Sequence, residues 1–412
     1  CMITDYPAFR VRGFMHDIGR SYILVEELKH EIALLSQYKI NVFHWHLTEN
    51  QGWRLQSLRF PQLNSAATYE RLPQKYYTLQ EAKELVAFCK AHNVLLIPEI
   101  DMPGHMLAAL ASYPEFGNGT GPYKVAEWWG VFEQILSPKE ETYTFLENIL
   151  TEIVDIFPSE YIHIGGDEAP KKEWKESAEV QEIIKKLGLT DDTEPNPLDG
   201  IKHSKEDKLQ SHFMGRIEKF LNSKGRQIIG WDEILEGGLA PNATVMSWRG
   251  IGGAIEAAKS GHDAIMTPMA YCYFDFYQSD KVNEEPLAIG GYVPVERVYS
   301  FNPYPDALTP EQNKHILGVQ ANIWTEYMKT FKHVQYMALP RYAALSEVQW
   351  LAPGQTKDYP QFLQKLLRLI KIYQAEGYNY AKHIFNLRAE VKPEVGNIQV
   401  TFSCLQDVPI YY

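Results

Sequence analysis

Short apolar runs alternate with amphipathic stretches along most of the chain. The runs have the length of strands, whereas apolar residues in the stretches between them recur at helical spacing. The predicted strands are Phe9–Ile18, Asn41–Leu47, Val94–Asp101, Tyr161–Asp167, Gln227–Glu233, Ala243–Arg249, Asp263–Thr267 and His315–Trp324. The predicted helices are Val25–Tyr38, Leu79–His92, Tyr143–Phe157, Lys205–Lys224, Ile251–Ser260 and His333–Gln349. This alternation is typical of a parallel α/β fold.

The number of predicted strands favours a (β/α)8 barrel, because about eight strand units are spread over 412 residues. Polar and aromatic side chains also gather at the carboxyl ends of these strands, where such barrels build their active sites. They are His46, Asp101, Asp167, Glu168, Trp231, Asp232, Glu233, Trp248, Arg249 and Trp324. The alternative is a doubly wound open sheet, but no GxGxxG motif opens a helix after any predicted strand.

Two stretches fall outside the barrel pattern. Leu189–Asp207 is rich in Asp, Pro, Thr and Lys, which indicates a surface insertion between helices. Ala389–Tyr412 alternates apolar and polar residues like the strands of a separate β unit. We therefore predict a catalytic barrel over residues 1–385, and a linker with a truncated C-terminal β domain over residues 386–412.

The composition of the chain argues against some classes of binding partner. The formal net charge of −12 argues against nucleic acid and against an anionic membrane surface. No run of apolar residues is long enough to span a membrane. The four cysteines are scattered without metal-ligand spacing. Many of the aromatic residues lie beside polar ones, as they do where rings stack on sugars, although core packing also explains part of this pattern.

The most informative segment places Asp167 and Glu168 directly after Gly165 and Gly166 at the end of a predicted strand. Neighbouring residues within a strand point to opposite faces, so only at its end, where the glycines free the backbone, can both acids face one ligand. Two confined carboxylates also push their pKa values apart, so that one stays protonated while the other stays charged. The alternative is the acidic start of a helix led by Pro170.

The segment His163-Ile164-Gly165-Gly166-Asp167-Glu168 resembles the signature of family 20 glycoside hydrolases, the exo-acting β-N-acetylhexosaminidases. Further segments resemble the family pattern in the expected order, from about Tyr6 to about Gln374. They are Arg12-Gly13 with Asp17, His44-Trp45-His46-Leu47-Thr48, Gln51-Gly52-Trp53-Arg54, Glu99-Ile100-Asp101-Met102-Pro103-Gly104-His105, Gly230-Trp231-Asp232-Glu233, Ser247-Trp248-Arg249-Gly250, Tyr273-Phe274-Asp275 and Trp324-Thr325-Glu326.

The resemblance implies a retaining reaction in which the nucleophile is the 2-acetamido oxygen of the substrate, through an oxazolinium-type intermediate. Glu168 would be the general acid and base. Asp167, ionised, would accept the acetamido N–H, and Tyr273 would orient the acetamido oxygen. The residues implied in substrate binding are Arg12, Trp231, Trp248, Asp275, Trp324 and Glu326. The family precedent includes neither a metal nor a cofactor.

A second set of residues would orient the catalytic acid without touching the sugar. Asp101 and His105 have this role by family precedent. Where the family usually has two Asp residues after the HxHL segment, this chain has Glu49 and Asn50, and Glu49 can reach His105 with its longer side chain. His163 precedes the glycine pair, and a structural role suits it best.

Other functions are compatible with parts of the pattern. His44 and His46 point the same way on one strand, and His16, Asp17, Asp101, His105 and His163 could complete a metal site, although the acids do not fall where a bridging cluster needs them. Ordinary structural roles remain open too: Arg12 with Asp17 as an ion pair, and each tryptophan in core packing. A non-catalytic sugar-binding protein would need the tryptophans but not the paired acids.

The resemblance also implies the substrate class and location. The substrate would be an oligosaccharide or glycoconjugate with a terminal β-linked GlcNAc or GalNAc, and the residue pattern does not distinguish between these sugars. Release of a disaccharide, as by a lacto-N-biosidase, is the alternative; Arg12 and Glu326 on a single sugar speak against it. Similar bacterial enzymes degrade glycans that lie outside the cell, which implies an extracytoplasmic location.

Overall fold

The structure is a computed structural model, and it describes residues 2, 5–65, 75–119, 121–196, 200–405 and 409–411. Its eight barrel strands are Val11–Asp17 (β1), Val42–His46 (β2), Leu95–Glu99 (β3), Tyr161–His163 (β4), Gln227–Trp231 (β5), Thr244–Ser247 (β6), Ala264–Met266 (β7) and Ile316–Ile323 (β8). Each strand pairs in parallel with the next one in the sequence, and β8 closes the barrel on β1. The prediction of a (β/α)8 barrel is confirmed.

Helices surround this barrel. The α-helices are Val25–Gln37, Leu79–Ala91, Leu107–Ser112, Glu140–Ile156, Lys172–Glu176, Ala178–Lys186, Lys205–Ser223, Gly252–Lys259, Met269–Cys272, Val295–Ser300, Pro310–Asn313, Phe331–Ala338, Arg341–Trp350 and Tyr359–Glu376. The 3-10 helices are Pro61–Asn64, Pro114–Phe116, Asp232–Leu235, Val282–Glu284 and His383–Phe385. Two-residue strands at Thr48–Glu49 and Gly52–Trp53 form a small antiparallel sheet after β2.

Every predicted strand is present, and each ends earlier than predicted. The prediction extends one strand to Asp167, whereas β4 ends at His163, because Gly165 and Gly166 adopt positive φ angles of 67° and 100°. The residues with candidate chemistry therefore lie mainly in the loops just beyond the carboxyl ends of the strands.

The helix predictions are correct in position, with one interruption. The predicted helix His333–Gln349 is two helices, because Leu339 is extended in front of Pro340. A residue before proline is disfavoured in the helical region, and this preference ends the first helix. The helices Ala178–Lys186 and Tyr359–Glu376 were not predicted.

The two irregular stretches are also where they were predicted. Leu189–Asp207 connects two helices and joins the second of them at Lys205; residues 197–199 lie outside the described residues. At the C-terminal end, Arg388–Glu394 (β9) and Asn397–Ser403 (β10) form an antiparallel hairpin. This confirms β structure in the predicted C-terminal unit, while the domain boundary itself stays a prediction.

The interior of the barrel changes character along its axis. A small apolar cluster that includes Val42, Ile97, Ile229 and Leu317 fills part of the barrel. Further along the strands, the interior is formed by buried polar residues such as His44 and Glu99. A much larger apolar cluster lies between the barrel and the helices. Within the described residues, no helix combines the length and the apolar character needed to cross a membrane.

Candidate active site

A cavity of about 230 Å3 opens at the carboxyl ends of the barrel strands. Its lining residues come from loops that follow most of the strands and include nearly every residue predicted to touch the substrate. They are Arg20, His105, Trp129, Gly130, Val131, Asp167, Glu168, Trp231, Trp248, Met269, Tyr273, Asp275, Phe276, Ile289, Trp324 and Glu326. Residues that are far apart in the sequence thus converge on one pocket.

The two adjacent acids differ in environment. Asp167 is buried, whereas the Glu168 side chain is 39% exposed. Glu168 has a φ of +44°, a left-handed conformation that is unfavourable for a residue with a side chain. A Cβ atom on Gly165 would lie 1.7 Å from Asp101 Oδ1, so the chain can pass here only as glycine. The following helix begins at Lys172, so the two acids do not form an acidic helix start.

Asp167 and Asp101 form a buried pair of carboxyl groups. Burial, and then the charge of Asp101, raise the pKa of Asp167 well above its usual range. Burial also raises the pKa of Asp101, to about 7. Asp101 Oδ2 and Asp167 Oδ1 are both buried without a hydrogen-bond donor among the described residues, and one shared proton would satisfy both. The raised pKa of Asp167 opposes the ionised state predicted for this residue.

His105 connects the acids to a second carboxylate. Its Nδ1 lies 2.5 Å from Glu49 Oε1, and its Nε2 lies 3.4 Å from Asp167 Oδ2 and 3.6 Å from Glu168 Oε2. Burial opposes the charged ring, but Glu49 and Asp167 outweigh it and hold the pKa of His105 well above its usual value. Glu49 therefore contacts His105 as predicted, whereas Asp101 lies beside Asp167 rather than beside Glu168.

Aromatic rings form the walls of the cavity. The Trp231 and Trp324 rings lie 5.7 Å apart, and Trp248 stacks on Tyr273 at 6.1 Å. Burial, and then Asp275, raise the pKa of the Tyr273 hydroxyl well above its usual value, so this phenol stays a hydrogen-bond donor. These four residues were predicted at the site, and the structure brings all of them together.

Two acids, the buried Glu99 and the partly buried Glu233, fix the orientation of these walls. The indole nitrogen of Trp231 donates to Glu99 Oε1 at 2.9 Å, and that of Trp248 donates to Glu233 Oε2 at 2.9 Å. A buried indole N–H usually finds such a partner. Because each donor is satisfied by the protein, the rings present only their apolar faces and edges to the cavity.

The prediction for Arg12 is wrong. Arg12 lies near the amino end of β1, at the opposite end of the barrel from the cavity, and its guanidinium donates to the carbonyl oxygens of Lys39 and Phe9 at 2.6 and 2.7 Å. The ion pair with Asp17, the alternative for Arg12, is absent from the ion pairs of the described residues. Arg20, just beyond the carboxyl end of β1, is the arginine in the cavity.

Arg20 is held by three carboxylates. It lies 3.3 Å from Asp17, 2.8 Å from Glu49 and 3.5 Å from Glu326. Burial opposes its charge, yet the carboxylates raise the pKa of Arg20 well above its usual value, so the guanidinium stays protonated. A cation inside the pocket thus offsets part of the negative charge that the acids bring to it.

Asp275 and Glu326 line the same side of the cavity as Arg20. Burial and the neighbouring Glu326 raise the pKa of Asp275, and burial raises that of Glu326 against the pull of Arg20. Asp275 Oδ1 is buried and has no hydrogen-bond donor among the residues that the structure describes. Buried polar atoms are normally paired, so this oxygen indicates a place where a ligand donates a hydrogen bond.

Below the cavity, three histidines surround Glu99. Its carboxylate lies 2.5 Å from His46, 2.8 Å from His44 and 3.1 Å from His163. Burial alone would raise the pKa of Glu99, but the histidines hold it well below the usual range. His163 stacks on His44 at 4.4 Å and lies 4.8 Å from the Trp231 ring, so it belongs to this buried layer and supports the cavity wall from below.

Some of these groups could also hold a metal ion by distance alone. His44, Glu99 and His163 form one such set; His46, Glu49 and Asp101 form a second; Asp101, His105 and Asp167 form a third. The expectation that no acid lies where a cluster needs it is therefore wrong, since Glu99 bridges the histidines. His16 is not part of these sets, because it pairs with Glu31 at 2.7 Å on the first helix.

Several residues of the site were not predicted from the sequence. Arg20 and Glu99 carry a usable signal, because each stands at or just beyond the carboxyl end of a strand. Trp129 carries none, because the loop over residues 121–136 brings it across the barrel mouth, where its indole nitrogen donates to the Tyr327 hydroxyl at 2.6 Å. Only the folded path of that loop reveals the contact.

Comparison with known proteins gives a consistent result. The family model for "Glycosyl hydrolase family 20, catalytic domain" matches residues 9–353. A beta-hexosaminidase of Porphyromonas gingivalis is 40% identical over 92% of this chain and 48% of its own length. A beta-hexosaminidase of Akkermansia muciniphila is 33% identical over 89% of this chain and 73% of its own length.

A solved structure is similar along the same range. The exo beta-N-acetylglucosaminidase of Vibrio harveyi, in complex with N-acetylglucosamine, aligns with a TM-score of 0.79 and 30% identity, covering 92% of this chain and 60% of that one. The chain spans about half the length of the Porphyromonas and Vibrio furnissii relatives, 48% and 57%.

Proposed function

The chain belongs to glycosyl hydrolase family 20, and from that membership we propose that it is an exo-acting, retaining β-N-acetylhexosaminidase. It would remove a terminal, non-reducing β-linked GlcNAc or GalNAc from an oligosaccharide or glycoconjugate. The observation that carries this proposal is the pairing of a buried Asp167 with a half-exposed Glu168 inside one aromatic cavity. A cavity of about 230 Å3 suits one sugar unit at a chain end.

Glu168 would protonate the leaving oxygen. In this step the acetamido oxygen of the substrate bonds to the anomeric carbon, the glycosidic C–O bond breaks, and the proton of Glu168 moves to the departing oxygen. Of the two adjacent acids, Glu168 has the more exposed side chain, as expected of a group that must meet the departing oxygen. No protein carboxylate forms a covalent bond to the sugar, in keeping with the substrate-assisted exception among retaining glycosidases.

Asp167 would accept the acetamido N–H, for which it must be ionised. The shared proton of the Asp101–Asp167 pair would then reside on Asp101, whose pKa near 7 allows either state near neutral pH. Positive charge that develops on the acetamido nitrogen favours the ionised form of a carboxyl group beside it. The substrate itself would therefore charge Asp167 as the reaction proceeds.

Tyr273 and the tryptophans would hold the acetamido group for attack. The Tyr273 hydroxyl, kept protonated by burial, can donate to the acetamido oxygen. Trp231, Trp248 and Trp324 would exclude water and pack on the acetamide methyl and the sugar face. Such restraint matters because an internal nucleophile reacts fast only when it is already close and aligned.

Arg20, Asp275 and Glu326 would bind the ring hydroxyls, and Arg20 takes the role predicted for Arg12. The unpaired Asp275 Oδ1 would accept from a hydroxyl. Charged hydrogen bonds of this kind are directional, and a sugar that lacks the hydroxyl leaves a buried charge unmatched. In the second step Glu168 would take a proton from water, which attacks the anomeric carbon and reopens the acetamide.

The location and the full set of substrates follow from the same premise. Glycans that end in β-HexNAc lie mostly outside the cytoplasm, and we propose an extracytoplasmic place of action. Nothing in a net charge of −12 favours nucleic acid as a partner. The discrimination between GlcNAc and GalNAc would depend on the groups that meet the ring hydroxyls, Arg20, Asp275 and Glu326.

The proposal is tested by replacing Glu168 with Gln. Cleavage of an ordinary alkyl N-acetyl-β-glucosaminide should fall about 100- to 10,000-fold, because general acid catalysis is lost. A glycoside whose leaving group needs no protonation should lose much less in its first step. The matched control is Glu160→Gln, an exposed acid just before β4 at the other end of the barrel, and its activity should be unchanged.

Three further measurements separate the competing functions. A glucoside with a hydroxyl in place of the 2-acetamido group should not be cleaved, and a thiazoline mimic of the intermediate should inhibit strongly. The His and carboxylate sets make a metal-dependent hydrolase the second candidate. Loss of activity on chelation that zinc restores would support that candidate, whereas unchanged activity in chelator would remove it.

A further inference from the structure

The turn that carries the two adjacent acids has a strained backbone. It runs from the end of β4 at His163 to the next helix, which begins at Lys172. Gly165 and Gly166 have positive φ angles, and Glu168, which has a side chain, has a φ of 44°. Such a conformation is unfavourable for a residue other than glycine and persists only where surrounding contacts enforce it. The groups that hold this turn therefore also fix the direction of the Glu168 side chain.

One side of the turn rests on the loop after β3. The Gly166 N–H donates to Asp101 Oδ1 at 3.2 Å. Gly104 packs closely against the turn, since a Cβ atom there would lie 3.3 Å from Ala169 Cα and from Asp167 O. These contacts hold the turn on the side of β3. They do not use the carbonyl oxygens of Gly166 and Ala169, which stand before and after the acid pair.

The other side of the turn is held by Gln210, on the helix Lys205–Ser223. Gln210 is only 5% exposed, and its Nε2 donates to the Gly166 carbonyl oxygen at 2.7 Å. Its Oε1 accepts from Lys171 Nζ at 2.5 Å. Because one end of the amide donates and the other accepts, the group has a single orientation that satisfies both partners.

Lys171 completes this set of contacts. Its Nζ donates to the Ala169 carbonyl oxygen at 2.7 Å as well as to Gln210. Asp207 lies 3.9 Å from the same nitrogen. An ammonium group has three donors, and hydrogen bonds from a charged donor are stronger than those between neutral groups. Gln210 and Lys171 thus link the two carbonyl oxygens that stand before and after the acid pair.

We propose that Gln210 and Lys171 are positioning residues, which hold the turn so that the Glu168 carboxyl group meets the departing oxygen. The inference rests on the proposed function, because it assigns residues to the same proton transfer. Neither side chain lines the cavity, so both act through the turn and not on the sugar. Proton transfer needs the two heavy atoms within about 2.6 to 3.2 Å. A displacement of about 1 Å can slow a reaction about 100-fold.

The test compares Gln210→Leu with the parent protein on two N-acetyl-β-glucosaminides. Leucine is similar in size to glutamine but forms no side-chain hydrogen bond. For an alkyl glycoside, kcat should fall about 10- to 100-fold while KM changes less than about twofold, because the sugar contacts are untouched. A glycoside whose leaving group needs no protonation should lose much less. A protein that is only less well folded loses both activities in the same proportion, so the ratio of the two losses reports on Glu168.

Lys171 offers a second test at a partly exposed position. Lys171→Met should lower kcat for the alkyl glycoside about tenfold, and Lys171→Arg should restore most of it, since arginine keeps the N–H donors. The double variant of Gln210→Leu and Lys171→Met should lose no more than Gln210→Leu alone, because the two side chains act as one unit. Lys171→Met also keeps the test decisive if Gln210→Leu does not fold.

Gln181→Met is the matched control. Gln181 also bonds the helix Lys205–Ser223, since its Nε2 donates to Glu206 Oε1 at 3.0 Å and to the Trp174 carbonyl oxygen at 2.9 Å. Neither bond reaches the turn that carries the acids. The kcat of Gln181→Met should therefore equal that of the parent protein on both glycosides.

The result for the parent protein separates this inference from the proposed function. If the parent protein cleaves neither glycoside, the proposed function itself fails. If it cleaves both and folded Gln210→Leu keeps the parent kcat, the positioning role is overturned. That role is also overturned if Gln210→Leu lowers both activities equally, or if Gln181→Met lowers kcat as much, because the bonds to this helix would then only stabilise the fold.

Discussion

An arginine lies at each end of strand β1, and each guanidinium lies over a tryptophan ring, but the two differ in their hydrogen-bond partners. Arg12, near the amino end, donates to backbone carbonyl oxygens and lies over the Trp350 ring at 5.6 Å. Arg20, beyond the carboxyl end, is enclosed by Asp17, Glu49 and Glu326. The position of a charged group along a barrel strand therefore decides whether it reaches the site.

Replacement of Arg20 should have the largest effect. We expect Arg20→Lys to lower kcat/KM about 100-fold or more, because an ammonium group keeps the charge but cannot bridge three carboxylates with directed N–H groups. Most of the loss should appear in KM if Arg20 binds the ground-state sugar, and in kcat if it binds the transition state more strongly.

Stability must be measured for the same variants. Arg20→Met should lower the free energy of unfolding by about 3 to 5 kcal/mol, because three buried carboxylates lose their cation. Arg20→Lys is the variant that keeps the activity test interpretable if Arg20→Met does not fold. Unchanged kcat/KM in folded Arg20→Lys would contradict the role assigned to Arg20.

The two ends of the barrel should also differ in how they affect the pH dependence of stability, by a smaller amount. The folded pKa of Asp101, about 7, exceeds the value of about 4 in an unfolded chain. Between these values the native state holds a proton that the unfolded chain releases, so stability should fall as the pH rises through about 4 to 7. At the amino end, Arg12 does not titrate in that range, since an arginine stays protonated.

The variant Asp101→Asn isolates this contribution. It cannot ionise, so its melting temperature should fall less than that of the parent protein between about pH 4 and pH 8. Activity should also change its pH profile, because the proton shared with Asp167 is replaced by a fixed amide. Parallel melting curves for parent and variant across this range would show that Asp101 does not hold the raised pKa.

The smallest effect is expected at the other end of the strand. Arg12→Met removes two hydrogen bonds to carbonyl oxygens and should lower the free energy of unfolding by about 1 to 2 kcal/mol. We expect kcat/KM to be unchanged. A loss of activity as large as that of Arg20→Lys would mean that the two ends are coupled and would undo the comparison.

The spacing of apolar residues was sufficient to predict the barrel, because each strand and helix buries its own apolar face. The helix Tyr359–Glu376 could have been predicted as well, since Asp358 caps it, Pro360 stands in its first turn and Gly377 ends it in a left-handed conformation. The division of His333–Gln349 was also readable from Pro340. These omissions concern signals that are present in the sequence.

Only part of the site could be predicted from the sequence. Asp167, Glu168, Tyr273 and the three tryptophans are recognisable from their motifs, and Arg20 could have been chosen over Arg12 by counting along the strand. The raised pKa of Asp167 could not be predicted, because it depends on burial and on the neighbouring Asp101 in the folded chain. Trp128 and Trp129 are equally hidden, since a loop without periodic pattern carries them to the barrel mouth.

The left-handed backbone at Glu168 has a consequence for protein engineering. A residue with φ of +44° is strained unless it is glycine or asparagine, so replacing the proposed proton donor with either should relax the fold. Directed evolution that selects only for heat resistance would then favour inactive sequences at this position. Libraries built on this scaffold should therefore keep codon 168 constant, or impose a turnover screen in every round.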